Sequence, residues 1–217
     1  MQELKTIKNN GVAEIIEKKS KFIGQAFYVE NKEEAEEIIK EIRKKYSDAR
    51  HNCYAYSILE ENTESTKSSD DGEPAGTAGM PILNVIKENN LKNILVIVTR
   101  YFGGILLGTG GLVRCYTKAT TESIKNAIIV EKEIGYKIKF VTNYNKQEEL
   151  KYYLKQNLCN IIDTTYLEKI EIIAEISEKV KKEIEENLVK KDKMYECAEI
   201  LETKYIEKRT KWRKYKN

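Results

Sequence analysis

The sequence predicts an α+β protein built in two parts. Two observations carry this: short apolar runs of strand type alternate with amphipathic helical stretches along the whole chain, and the composition changes abruptly near its middle. Eight of the eleven glycines and both prolines fall between Gly72 and Gly111, and neither residue type occurs after Gly135. Residues 1–134 carry 19 basic and 20 acidic side chains, whereas residues 135–217 carry 19 and 15. The expected parts are therefore 1–134 and 135–217, abutting near Glu133–Tyr136 without a low-complexity linker or internal repeat.

In the first part, "ELKTI" and "VAEII" flank "KNNG", whose Asn-Gly pair predicts a hairpin turn between two strands. "KSKFIGQAFYV" reads as a third strand. "NKEEAEEIIKEIRKKY" is a helix: Asn31 is placed to cap it, Glu33 and Glu34 occupy the first turn, and Arg43, Lys44 and Lys45 close the last. Its apolar stripe is Ala35, Ile38, Ile39 and Ile42. "NCYAYSIL" is a strand, and "EENTESTKSSDDGEPAGTAG" reads as a polar loop of about twenty residues, a length usually reserved for functional or mobile segments. "MPILNVIKENN" restarts a helix with Pro81 near its first turn. "NILVIVT" is a buried strand. "GGLVRCYTKATTESIKNA" is a helix with Leu112, Cys115, Tyr116, Ala119 and Ile124 on one side.

The second part is simpler. "GYKIKFVTN" is a strand, "NKQEELKYYLKQN" a helix, "NIIDTTYLE" and "KIEIIAEIS" two strands, "EKVKKEIEENLVKK" a helix, and "KMYECAEILETKYIEK" the closing strand or strands. The order β-α-β-β-α-β is the ferredoxin-like, split βαβ arrangement.

Composition excludes several function classes. The net charge of +3 does not by itself argue for nucleic acid. No apolar run is long enough to span a membrane, and the N-terminus lacks the apolar stretch of a signal peptide. Cys53, Cys115, Cys159 and Cys197 are scattered without a CxxC, as expected of free thiols in a cytoplasmic protein.

The segment "TRYFGGILLGTGGLVR" (99–114) places five glycines directly after the best strand and before a helix. Glycines allow positive φ and close backbone approach, and a helix start offers unpaired N–H groups at a positive dipole end. Phosphate is the anion that suits such a site, with Arg100 and Arg114 nearby and Gly103, Gly104, Gly108, Gly110 and Gly111 supplying backbone. The spacing is neither GxGxxG nor GxxxxGK[ST], and the simpler alternative is that the glycines permit tight packing where a loop folds back on the sheet. Tyr101 and Phe102 are the candidates for stacking on a base. Gly76 and Thr77, ahead of the helix at Pro81, form a second helix entrance facing the same cleft.

Asp70, Asp71 and Glu73 are hard oxygen donors, but they lack a calcium-loop pattern and sit among turn formers, so no metal is expected. His51, the only histidine, shares a strand face with Cys53; adjacency on one strand does not place imidazole to take the thiol proton, and no catalytic set is expected. The tail "KYIEKRTKWRKYKN" interleaves Lys211 and Arg213 with Trp212 and Tyr215. It reads either as a nucleic-acid footprint or as a solvated terminus.

Taken together, "KSKFIG", "ARHNCYAY", "DDGEPAGTAGMPIL" and "VIVTRYFGGILLGTGGLVRCYTKA" resemble the Impact family, called YigZ in bacteria, over about residues 10–130. The second part resembles the small ferredoxin-like domain of bacterial members, similar to the last domain of elongation factor G. The resemblance implies a first domain like domain 2 of ribosomal protein S5, a role in translation control, and RNA, the ribosome or a protein as partner. It implies no cofactor and no membrane. The expectation is a non-enzymatic, cytoplasmic RNA- or ribosome-binding protein. The alternatives are a nucleotide- or phosphate-binding enzyme of the S5-like fold, or a protein-interaction module.

Overall fold

The computed structural model describes residues 4–60, 63–187 and 194–209. They form two compact units, Leu4–Val130 and the residues from Glu131 onward.

The first unit contains β1 (Leu4–Ile7), β2 (Gly11–Glu17), β3 (Ser20–Tyr28), α1 (Lys32–Lys45), β4 (His51–Glu60), β5 (Thr63–Ser69), α2 (Gly79–Glu88), β6 (Ile94–Tyr101) and α3 (Gly108–Lys125). Five of the strands make an antiparallel sheet in the order β2-β3-β6-β4-β5. Strand β6 is at its centre, and the reason is its continuous apolar run. Ile94, Val96 and Val98 point to the side where α2 and α3 pack, with Ile82, Ile86, Leu112, Tyr116 and Ala119. Leu95 and Ile97 point to the opposite side, against Ala35, Ile39 and Ile42 of α1 and Tyr54, Tyr56 and Ile58 of β4. Alternate side chains thus serve two cores, each buried Ile or Leu contributing about 1.5–3 kcal/mol. Asn31 caps α1 as expected, its Oδ1 accepting from the Glu34 N–H at 2.8 Å.

Two local expectations are overturned. The Asn-Gly of "KNNG" does not make a hairpin: β1 pairs with β7 (Ile129–Thr142), and β2 belongs to the other sheet. Gly11 serves packing instead, since a Cβ there would stand 2.0 Å from the Ser123 carbonyl oxygen of α3. The tight hairpin comes one strand later, between β2 and β3, through Lys18 and Lys19 at φ 44° and 62°. Left-handed backbone at a non-glycine residue costs roughly 1–2 kcal/mol. The second correction concerns the twenty-residue polar loop. Its first half is β5, an edge strand paired with β4. Its Ser, Thr, Lys and Glu side chains hide the strand in the sequence, because an edge strand facing water needs no apolar alternation.

The second unit holds most of β7, then α4 (Gln147–Gln156), β8 (Asn160–Tyr166), β9 (Ile170–Ser177), α5 (Glu178–Asn187) and β10 (Cys197–Glu207). Its strands run antiparallel in the order β10-β7-β9-β8. This is the ferredoxin-like arrangement. Ile170, Ile172, Ala174 and Ile176 of β9 alternate inward against Leu150 and Leu154 of α4 and Val180 and Ile184 of α5. The α+β class expected from the sequence holds in both units. Residues 133–136, where composition changes, lie inside β7 and are paired on both sides by β9 and β10, except that Glu133 and Ile134 meet β10 alone. No helix among the described residues is long and apolar enough to cross a membrane.

Candidate functional site

Strand β6 ends at Tyr101, six residues turn the chain, and α3 begins at Gly108. The residue before the helix, Leu107, provides no side-chain cap, and the first turn contains no acidic residue. Gly108 has φ +69°, Gly104 has φ +81°, and neither they nor Gly110 have a heavy atom within 4 Å of where a Cβ would stand. The positive end of α3 is therefore open and undecorated.

Beside it lies a cavity of about 340 Å³ lined by Arg50, His51, Glu73, Arg100, Phe102, Leu107, Gly108, Thr109 and Leu112 among others. Its floor is a buried polar network. Arg100 Nη1 donates to Glu73 Oε1 at 2.6 Å, with only 7% and 3% of the two side chains exposed. The Tyr116 hydroxyl donates to the same oxygen at 2.8 Å. His51 Nε2 stands 3.9 Å from it. Cys53 Sγ lies 2.9 Å from the Asp70 carbonyl oxygen and 3.3 Å from the Tyr116 hydroxyl. Burial, reinforced by the surrounding carboxylates, pushes the Cys53 thiol up to about 12 despite the opposing Tyr116 hydrogen bond. Burial first, then Cys53 and Glu73, drives Tyr116 well above the ordinary tyrosine value. Cys53 and His51 thus share a face, as their spacing requires, and burial favours the protonated form of the thiol.

The acidic loop after β5 is fully engaged from within. Asp70 accepts from the N–H groups of Gly76 (2.9 Å), Ala78 (3.0 Å) and Gly79 (2.8 Å), which closes the start of α2. Burial pushes the Asp70 carboxyl up, but the three N–H groups outweigh it and hold it below the usual range. Asp71 accepts from Arg43 at 2.6 Å and from the Asn52 N–H at 2.7 Å. Among the described residues, no group of three His, Cys, Asp or Glu side chains could hold a metal ion.

The structure brings Arg100, Phe102 and Gly108 together at the cavity. Gly111 and Arg114 line a neighbouring groove of about 240 Å³ with Lys18 and Lys118. Other expected residues are placed elsewhere. Tyr101 donates its hydroxyl to Asp48 at 2.9 Å and does not line the cavity. Gly103 packs on the Lys19–Ser20 backbone, its N–H donating to Ser20 Oγ at 3.1 Å. Gly76 N–H is taken by Asp70, and the buried Thr77 hydroxyl donates to the Pro74 carbonyl at 2.7 Å, so that entrance does not face a cleft with free donors. Arg100 is not a free cation, because Glu73 neutralises it. Lys211 and Arg213 lie outside the described residues.

Sequence reasoning missed Arg50, Glu73, Lys18 and Lys118. For Lys18 a signal existed: "EKKSK" joins two strand-like runs through two residues, the length of a tight hairpin. Lys18, Lys19, Arg50, Arg114 and Lys118 form no ion pair among the described residues. In the second unit, by contrast, Lys139, Lys151, Lys169, Lys181, Lys182 and Lys204 each reach a glutamate. Residues 135–209 hold 15 basic and 15 acidic side chains, so Lys211, Arg213, Lys214 and Lys216 account for the whole basic surplus of the second part.

The model of the Impact N-terminal domain matches residues 18–124. The IMPACT family member YvyE of Bacillus subtilis is 38% identical over 174 residues, covering 80% of each chain. An IMPACT family member of Haemophilus influenzae is 34% identical over 190 residues, covering 85% of this chain and 90% of its own. A crystal structure described as a hypothetical protein superposes with a TM-score of 0.62 at 28% identity, covering 87% of this chain and 92% of that one.

Proposed function

The chain belongs to the IMPACT family, and from that premise we propose that it is a non-enzymatic RNA- or ribosome-binding protein acting in the regulation of translation. The observation that carries this reading is the open start of α3: glycine-lined, uncapped, and flanked by Arg50, Lys18, Arg114 and Lys118, which outnumber Glu17 and Glu73 along the same cavity and groove. Helix starts of this kind favour anions, and the anion repeated along a nucleic acid is phosphate. Arg50 stands at the cavity, Arg114, Lys118 and Lys18 at the groove. Together they offer a path longer than one phosphate. Lys211 and Arg213 of the tail add affinity from outside the described residues. The Glu73–Arg100 pair and the Tyr116 hydroxyl hold one another through Glu73 Oε1, leaving Arg100 Nε as the donor without a partner, an arrangement that suits binding.

The test is a salt titration of affinity for single-stranded RNA. Each neutralised phosphate contributes a log–log slope of about −0.7. The expected slope corresponds to several phosphates, and Arg114→Ala lowers it by about one. A wild type with no salt dependence, or with no RNA affinity above that of a neutral control protein, overturns the reading. Capture of cellular partners with and without nuclease treatment separates it from a pure protein-interaction module, whose captures survive nuclease.

A further inference from the structure

We infer that the cavity beside α3 receives the terminal phosphomonoester of a nucleotide, while backbone phosphodiesters follow the open groove of Lys18, Arg114 and Lys118; the inference rests on the phosphate reading above. Three features of the cavity separate the two kinds of phosphate. The first is depth. Arg100, which lines the cavity, is 6% exposed, and its Nε is buried without a hydrogen-bond partner among the described residues. A buried donor of that kind calls for an acceptor, and a group entering the cavity that Arg100 lines would supply it. A phosphodiester has chain leaving on both sides and suits an open groove; a terminal phosphate has one attachment and can be inserted.

The second feature is an acceptor at the cavity wall, His51 Nε2. The Asp71 carbonyl can only accept, so the His51 Nδ1 that contacts it at 2.8 Å carries the proton. In the neutral ring Nε2 then presents a lone pair, 3.9 Å from Glu73 Oε1. Glu73 Oε1 already accepts from Arg100 and Tyr116, so His51 Nε2 is the acceptor left to take a donor from a ligand. A phosphomonoester, with a second ionisation near pH 6, can bring a P–OH, whereas a diester has no such proton. The third feature is the rim. Phe102 is 40% exposed, and the guanidinium of the exposed Arg50 sits 5.9 Å from its ring centroid. An aromatic ring and an exposed cation beside an open helix start suit a base and the phosphate it carries.

The experiment compares three probes on the full chain: an oligoribonucleotide with a 5′-phosphate, the same oligomer with a 5′-hydroxyl, and a free nucleoside 5′-monophosphate. The phosphorylated oligomer is expected to bind roughly tenfold or more tightly than its hydroxyl counterpart, the scale of one or two charge-assisted hydrogen bonds. Arg50→Ala, at an exposed position, should melt like the wild type and bring that preference close to unity. Competition by the free nucleotide at comparable affinity identifies a free metabolite as the source, and its failure to compete identifies an RNA end. Equal binding of the two oligomers with normal salt dependence overturns the end-group inference and leaves the phosphate reading intact. Saturable nucleotide binding without RNA binding supports the cavity and overturns the RNA reading. No binding of any probe overturns both. An unchanged preference in Arg50→Ala overturns the assignment to this cavity.

Discussion

Helices α2 and α3 begin alike and end up with opposite chemistry. Both follow a glycine-rich loop, and neither has a side-chain cap from the residue before it, Ala78 in one case and Leu107 in the other. At α2 the chain supplies its own anion: both carboxylate oxygens of Asp70 are filled by loop and helix N–H groups. Gly79 is there for contact, since a Cβ would fall 2.7 Å from the Ser69 backbone nitrogen. At α3 the first turn has no acidic residue, and Gly108 and Gly110 border open space. A glycine run before a helix is therefore not one signal. It marks close packing where the loop folds back on the protein, and an exposed dipole end where it does not.

The comparison can be broken by mutation, and the largest effect belongs to the pair that ties the loop before α2 to β6. Arg100→Ala strands Glu73 in a buried site and should cost about 3–5 kcal/mol, read as a lower midpoint in chemical denaturation. Glu73→Ala should do comparable damage, and a loss below about 1 kcal/mol in both would mean that the pair does not hold the loop to β6.

Next comes the closed entrance. Asp70→Ala removes the acceptor of three N–H groups and should destabilise the protein by roughly 2–3 kcal/mol without altering RNA affinity at temperatures where the chain stays folded. The pH dependence has a definite sign. Asp70 titrates lower in the folded state than in the unfolded chain, so its contribution is complete above the ordinary aspartate value of about 4 and is lost as pH falls through the native value. Acid unfolding followed by circular dichroism should be less steep in Asp70→Asn than in the wild type.

The open entrance should respond in the reverse way. Gly108→Val keeps every charge but forces a β-branched residue into φ +69°, at a cost of roughly 1–2 kcal/mol, and covers the first-turn N–H groups. RNA affinity should fall more than stability does, as measured by titration alongside thermal melts. Loss of stability alone would return the α3 glycines to a packing role. The smallest effect is that of Lys118→Ala, an exposed side chain at the groove: stability should stay within about 0.5 kcal/mol, and the salt slope should fall by about 0.7.

What could be read locally came through. The Asn31 cap, the acidic first turn and the Ala35–Ile39–Ile42 stripe specify α1 within sixteen residues, because capping and helical periodicity act between neighbours in the chain. The unbroken apolar run at 94–98 specified a strand buried on both faces, and the β-α-β-β-α-β order specified the second unit. Arg100, Phe102 and Gly108 were legible as one neighbourhood for the same reason, lying within nine residues of each other.

Partner choice over long distances was not legible. "KNNG" has the chemistry of a hairpin, yet β1 is taken by β7, more than a hundred residues away, and Gly11 is claimed by α3. The hydroxyl-rich β5 is a strand only because β4 offers it an edge. Asp70, Asp71 and Glu73 are equivalent as letters; tertiary structure made the first a helix cap, the second a brace on β4 and the third a buried counter-ion to Arg100. Propensity and periodicity are properties of adjacent residues and survive in the sequence itself. Which carboxylate meets which N–H or guanidinium, and which helix start is left without one, depends on where the folded backbone brings distant segments together.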